Sequence, residues 1–350
     1  MSESNTPVYN LNDKIPLGVA LLTVIQHFFA MTVFMTYPVI ISNAINGGPD
    51  MAGFLISATL IAAGIATILQ IFKITGSGLP IYTIPNSSYL PASMIAAASG
   101  GLPLLYGMLI FSGFIEMLIS RFTRFFRTIF PPEVTGVVLF LLGIAIIPFA
   151  FPLFFGSVNN GGLDMASTFV GIVTLGTTII LSMSKKKVFK FYSTLFGIAA
   201  GLIASVAAGV FKLETLAGIT DVELFAVPNP IGIVSYNFDA ALMIPFVIAM
   251  ICTMLKTLGN ISLANSYTRQ EDGNSLKRGL FAEGAGNVVS GLIGGIGTGS
   301  SSSGTGLVIG TGIASRKVML ILGIFLIACG FLPVIGWLFL FFQSRFSVLS

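Results

Sequence analysis

The stretch Leu79-Pro80-Ile81-Tyr82-Thr83-Ile84-Pro85-Asn86-Ser87-Ser88-Tyr89-Leu90-Pro91 carries three prolines and a polar centre inside an otherwise apolar run. Proline removes a backbone donor and clashes with the preceding turn, and serine favours non-helical backbone, so this stretch cannot cross a bilayer as an unbroken helix. A second stretch, Thr298-Gly299-Ser300-Ser301-Ser302-Ser303-Gly304-Thr305-Gly306, breaks in the same way and then turns apolar. Irregular backbone facing lipid leaves its N–H and C=O groups without partners. Both stretches must therefore be buried in protein or line a wet cavity.

That a bilayer is the solvent follows from the rest of the chain. Of its 350 residues, 55% are hydrophobic and only 9% charged, roughly a third of the charge of a soluble domain. Apolar runs of twenty or so residues recur along nearly the whole length, and they are continuous rather than alternating, which excludes a β-barrel. We read eleven segments: Pro16–Ile41, Met51–Phe72, Leu79–Ala98, Leu102–Ser120, Pro131–Phe155, Leu163–Met183, Phe191–Phe211, Ala240–Ala264, Gly279–Ile296, Thr298–Ala314 and Val318–Phe342. With the N-terminus inside, fourteen of the 17 lysines and arginines fall on the cytoplasmic side, among them the clusters Arg121–Arg127 and Lys185–Lys190. Every loop gives the same orientation, and a missed or invented span would reverse the pattern downstream of it. The expected location is the cell (plasma or inner) membrane, multi-pass, with a cytoplasmic N-terminus.

Several functions drop out. No basic stripe stands apart from the membrane-flanking loops, so nucleic acid is not an expected partner. Cys252 and Cys329 both lie in apolar runs and His27 is the single histidine, which leaves no disulfide framework and no metal-ligand set. No nucleophile–base pair stands in the spans, so an enzyme is not expected, nor is a cofactor. The two broken stretches instead hold the third position in each of two halves, segments one to seven and eight onward. Paired interruptions at matching positions mark an inverted-repeat transporter, with helix N-termini aiming free N–H groups at a site near the midplane.

At this point the chain resembles a known family, the nucleobase–ascorbate transporters, also called nucleobase:cation symporter-2 or xanthine/uracil permeases. The first span has Gln26-His27-Phe28-Phe29-Ala30-Met31, similar to the family's QH-x-x-AM. The third has Asn86-Ser87-Ser88-Tyr89, and the fifth opens Phe130-Pro131-Pro132-Glu133-Val134-Thr135-Gly136. The eighth has Lys256-Thr257-Leu258-Gly259-Asn260, and the tenth ends Gly306 and Thr311-Gly312-Ile313-Ala314-Ser315-Arg316. These motifs are collinear from about residue 16 to 340.

The resemblance implies an all-α polytopic fold of two inverted seven-span repeats, about eleven spans being present here and the last three missing. It implies a cytoplasmic tail (1–15), a core in two parts (16–120 and 212–342), the first part of a gate (121–211) and a divergent tail (343–350). It also implies cation-coupled nucleobase uptake, driven by protons or sodium, through an elevator-like movement of the core, with a homodimer as the assembled form. The substrate would lie between the third and tenth segments, each a short strand leading into a half-helix.

Two departures stand out. Where the family carries an acidic, base-binding residue on the eighth span, this chain has Lys256. The Gln or Glu of the tenth segment is Ser303, the Asn after it is Gly304, and the Asp or His one turn along the eighth span is Asn260. A lysine deep in a span costs roughly 2.5–3.5 kcal/mol on insertion scales and should face a partner or a cavity. Two readings stand open: Lys256 snorkels or pairs with a carboxylate such as Glu116 in the fourth span, or it meets the ligand or stands in for a driving cation. A lysine offers donors only, whereas a carboxylate accepts the N–H groups of a base.

His27 is a hydrogen-bonded core residue or a near-site one. Tyr89 is core, or a face on which a planar base stacks. Ser87, Ser88, Ser302 and Ser303 offer hydroxyls to substrate, or satisfy unwound backbone. Glu283 is read as a structural acid heading the ninth span near the cytoplasm. The substrate-binding candidates are thus Tyr89, Ser88, Lys256, Ser302 and Ser303, with His27, Asn260 and Glu116 as coupling or near-site residues.

The second departure is length. After the last apolar run, Gln343-Ser344-Arg345-Phe346-Ser347-Val348-Leu349-Ser350 leaves the family pattern, which suggests an interrupted reading frame or a truncated gene. The functional expectation is a nucleobase transporter for xanthine, urate or uracil. Its alternatives are a carrier of a small anion with Lys256 as counter-charge, and an inactive remnant.

Overall fold

The computed structural model describes residues 6–122, 164–184, 193–210, 235–270 and 272–336, together with positions 137, 140, 144, 147, 151, 154, 155, 186 and 189. The Phe130–Gly136 motif and most of the fifth segment, several lysines and arginines of the two inner clusters, Lys212 and the tail 343–350 lie outside the described residues.

Ten helices and two short strands follow in chain order among the described residues. These are α1 (Leu17–Thr32), α2 (Thr36–Ala44), α3 (Gly48–Ile71), β1 (Thr83–Pro85), α4 (Leu90–Ile119), α5 (Met165–Ser182), α6 (Ser193–Ala207), α7 (Ala240–Thr268), α8 (Ser275–Ile293), β2 (Thr298–Ser300), α9 (Ser302–Thr311) and α10 (Arg316–Gly330). Five stretches are helical, long and apolar enough to cross a bilayer: Leu17–Ala44, Gly48–Ile71, Ser87–Phe122, Met165–Ser182 and Ala240–Thr268. The chain is an integral membrane protein. The third and fourth segments meet within α4 as two helices joined at a kink, where Gly101 takes the non-helical φ 70° and ψ −170°, two residues before Pro103. That left-handed backbone suits glycine, and the proline resets the next turn.

Lipid gives helices no hydrophobic reason to associate, so close backbone contact through small residues holds the bundle. Along α4 and α8, Gly113 and Gly284 meet so closely that a methyl on either would fall 2.6 Å from the other's carbonyl oxygen. Along α3 and α10, a methyl on Gly64 would fall 2.6 Å from the carbonyl of Gly323. Helix α6 lies on α5 through Gly197 and Gly201, whose added methyls would strike Thr178 Oγ1 and Thr174 Oγ1. The α3 to β1 turn is tied down by polar side chains. Gln70 Nε2 donates to the Gly279 carbonyl at 2.9 Å, and Arg316 Nε to that of Gly78 at 2.6 Å.

An N-terminal arm closes over the end of α9. Tyr9 N–H donates to the Gly312 carbonyl at 3.0 Å and the Tyr9 carbonyl accepts from Ala314 N–H at 2.8 Å. Gly312 adopts φ +75° there, directly beneath Val8, where a side chain would be strained and crowded.

One reading of the sequence needs correction. Glu283 does not head its helix: α8 begins at Ser275, so the residue sits in the third turn, buried. The polar turn Ser275-Leu276-Lys277-Arg278 belongs to the helix because Asp272, just before it, accepts the Asn274 N–H at 3.0 Å and pairs with Arg278.

Candidate functional site

The two broken stretches meet. β1 and β2 pair antiparallel in the register Thr83 with Ser300, Ile84 with Gly299 and Pro85 with Thr298. Backbone groups that a continuous helix would have satisfied internally find partners across this crossing. Ser301 N–H donates to the Tyr82 carbonyl at 3.0 Å, and Asn86 N–H to that of Gly297 at 2.9 Å. Threonines of α3 serve the flanks: Thr67 Oγ1 accepts from Thr83 N–H at 3.0 Å and Thr59 Oγ1 from Ile296 N–H at 3.2 Å.

Each strand runs into a helical start. Asn86 caps the turn Ser87–Tyr89 that leads into α4, its Oδ1 accepting from Ser88 N–H at 3.1 Å while its Nδ2 donates to Thr253 Oγ1 at 2.9 Å. Ser301 caps α9, its Oγ accepting from Gly304 N–H at 2.9 Å. The crossing is packed by tyrosines of the third segment on glycines of the tenth. A methyl on Gly304 would lie 2.0 Å from the Tyr82 ring, and one on Gly297 2.4 Å from Tyr89 Cγ.

Behind the strands a buried polar net joins α7, α8 and α4. Glu283 Oε1 accepts from Ser300 N–H at 2.9 Å and from Thr257 Oγ1 at 2.5 Å. Ser300 Oγ lies 2.6 Å from Thr257 Oγ1 and accepts from Asn260 Nδ2 at 2.8 Å. Asn287 Oδ1 accepts from Thr298 N–H at 2.8 Å, and its Nδ2 donates to Glu116 Oε2 at 3.4 Å.

The expected site residues therefore divide. Asn260 and Glu116 join this net. Lys256, one residue before Thr257, is half-buried, and the carboxyl that bears on it is that of Glu283. No ion pair within 4 Å joins it to Glu116, whose carboxyl faces Glu283 and Asn287 instead. Tyr89 is 1% exposed, packed on Gly297 and against Phe246, with its hydroxyl turned toward Glu116 and Glu283. Ser88 is buried.

Ser302 and Ser303 are exposed at the start of α9. Ser303 lines a cavity of about 260 Å³ with Ala30, Val33, Phe34 and Leu307, between α1 and α9. His27 is buried, its Nδ1 donating to the Thr23 carbonyl at 2.8 Å and its ring set edge-on to Tyr82 at 5.2 Å. The sequence reading gave no site role to Thr257, Ser300 and Asn287, and took Glu283 as structural. A signal for part of them was present: Glu283, Asn287 and Ser290 recur four and three residues apart and so share one face of α8.

The chain matches the model of the permease family over residues 18–341. It is 26% identical over 280 residues to the uric acid permease PucJ of Bacillus subtilis (strain 168), a match covering 77% of this chain and 61% of that protein. It is 27% identical over 311 residues to the xanthine permease XanP of Escherichia coli (strain K12), covering 83% and 66%. The chain thus spans about three-fifths to two-thirds of the length of these relatives. Among solved structures, the transmembrane domain of the cyanobacterial bicarbonate transporter BicA superposes with a TM-score of 0.60 at 18% identity, covering 95% of this chain and 90% of that one. The likeness is one of fold.

Proposed function

This chain belongs to the permease family, and we propose that it works as a secondary transporter of a nucleobase, a purine such as xanthine or urate or else uracil. The observation that carries this reading is the antiparallel pairing of β1 with β2, which sets the start of α9 beside the Ala30–Phe34–Ser303 cavity. A helix start offers unpaired N–H groups, here joined by the Ser302 and Ser303 hydroxyls, and these suit the carbonyl and ring-nitrogen edge of a planar base. Ala30, Val33, Phe34 and Leu307 supply apolar surface for its faces.

In this reading residues 16–120 and 212–342 form the core that carries substrate past a gate that begins with 121–211, and the N-terminus faces the cytoplasm of the cell membrane. The movement is elevator-like, the driving ion is the proton, and two copies assemble as a dimer. Radiolabelled xanthine, urate and uracil uptake into cells lacking their own carriers tests it. Uptake of one of the three, reduced in Ser303→Ala and abolished by a protonophore, is expected. No uptake of any of them overturns the reading.

A second reading is favoured by one observation. The Lys256 ammonium has no carboxylate within 4 Å among the described residues, so a small anion could be its partner. Binding that small anions compete for, and that Lys256→Gln loses, would select this reading over the first.

A further inference from the structure

Two carboxyl groups lie buried where α4 crosses α8. Glu116 is 0% exposed and Glu283 3%. They face each other closely enough to interact directly, and one oxygen of each, Glu116 Oε1 and Glu283 Oε2, has no hydrogen-bond partner among the described residues. The Tyr89 hydroxyl, equally buried and equally without a partner, turns toward both. The other oxygens are spoken for: Glu116 Oε2 by Asn287, and Glu283 Oε1 by Thr257 and the Ser300 N–H.

The titratable groups that face the pair are Lys256 from α7 and Tyr89 from the turn before α4. Tyr37 of α2 turns instead to Ser87, Asp50 lies in the first turn of α3, and β2 carries no ionisable side chain. One lysine can balance one carboxylate. Two neighbouring carboxylates out of water, with a single cation near them, cannot both stay ionised. A proton placed between Oε1 of Glu116 and Oε2 of Glu283 would satisfy both orphaned oxygens at once and leave the cluster neutral.

We propose that Glu116 and Glu283 form a proton-binding site, one exchangeable proton shared by two carboxyls, whose affinity depends on the strand crossing through Glu283. The dependence is built into the bonding. Ser300 N–H, on β2, and the Thr257 hydroxyl, on α7, stabilise Glu283 as an anion, so a movement of β2 that lengthens the Ser300 bond strengthens the hold on the proton. Asn287 ties the other carboxyl to Thr298, two residues away on the same strand. As the coupling site of a proton-driven carrier the pair rests on the transporter reading above; as a proton site it does not.

The test needs no nucleobase, so the two ideas fail separately. Infrared spectra of the purified full chain in lipid, at neutral pH, are expected to show a carboxylic C=O band that shifts in D2O, because a carboxyl group in water is ionised at that pH. In Glu116→Gln, where Glu283 is left to ionise beside Lys256, that band disappears. In Thr257→Val, which removes a donor to Glu283, it persists to higher pH. In Lys256→Gln it persists to higher pH as well. Tyr89→Phe, which conserves shape, moves its frequency and serves should Glu116→Gln fail to fold. A wild-type spectrum without the band overturns the proposal, as does a band unchanged in Glu116→Gln or in Tyr89→Phe. A titration unmoved by Thr257→Val overturns the control of the site by the donors to Glu283.

Discussion

The two broken segments hold matching places and form matching structures, a strand followed by a helical start, yet they are built from opposite materials. The third segment supplies bulk, with Tyr82 and Tyr89 both 1% exposed, and Ser88 sealed in with them. The tenth supplies room: Gly297, Gly299 and Gly304 lie under those rings and the Asn86 side chain, and its serines 302 and 303 stay exposed beside a cavity. One side of the crossing is thus a packed wall and the other an accessible face. In the proposed transporter reading, a ligand entering from the cavity would meet hydroxyls and helix-start donors of the tenth segment first, while the third segment fixes where they stand.

The sharpest way to break this division is to withdraw the acceptor on which the tenth segment hangs. Glu283→Ala leaves the Ser300 N–H unmatched, at a cost of about 1–3 kcal/mol, leaves the Thr257 hydroxyl with Ser300 Oγ alone, and opens a hole where the buried side chain stood. The melting temperature of the solubilised protein should fall further than for any other single change considered below. A melting temperature within a degree or so of wild type would mean that β2 is held by strand pairing alone.

Next in size come the glycines. Gly304→Ala drives a methyl into the Tyr82 ring, and Gly297→Ala drives one into the base of Tyr89. Overpacking of this kind costs about 1–3 kcal/mol. Gly306, two residues further along the same helix, has nothing within 4 Å of where its methyl would go. There Gly306→Ala should be neutral or stabilise by up to about 1 kcal/mol through helix propensity. Equal melting temperatures for Gly304→Ala and Gly306→Ala would sink the picture of rings seated on glycines.

The asymmetry explains how much could be read in advance. Breaks were legible because proline and serine–glycine runs act locally: Pro80 and Pro85 interrupt a helix, and Pro91 fits only in the first turn of one, where α4 places it. Lys256 was legible as a charge in an apolar run. Which faces close on which was not, since the Thr83–Ser300 register depends on contacts more than two hundred residues apart. Glu283 was misjudged because Lys277 and Arg278, charges suited to a loop, open its helix, and the ties of Arg278 to Asp272 and Gly76 emerge only in three dimensions. Tyr89 shows the same limit. Beside a break its ring was open to a stacking role, and only the glycine opposite, invisible locally, decides that it is covered.

The caps give a smaller contrast. Losing an N-cap costs about 0.5–2 kcal/mol. Ser301→Ala removes the acceptor for Gly304 N–H and a half-exposed contact with the Ser303 hydroxyl at 3.1 Å, which water can replace. Asn86→Ala removes an acceptor for Ser88 N–H and the donor to Thr253 as well. The third-segment substitution should therefore lower the melting temperature more than the tenth-segment one. The reverse order would place the structural weight of the crossing on α9.

The smallest effect separates wall from face most directly. Ser303→Ala removes an exposed hydroxyl, and surface changes of this kind stay within about 0.5 kcal/mol of wild type in stability. Its hydrogen bond to a bound base, at about 1 kcal/mol, should nonetheless weaken xanthine binding several-fold in a calorimetric titration. Ser88→Ala removes a buried hydroxyl whose Oγ has no partner, so stability should hold or rise slightly, because an unpaired polar atom leaves the interior. Xanthine binding in that variant should be unchanged. If instead Ser88→Ala weakened binding and Ser303→Ala did not, the packed side would be the one that meets substrate, and the cavity beside α9 would lose its role.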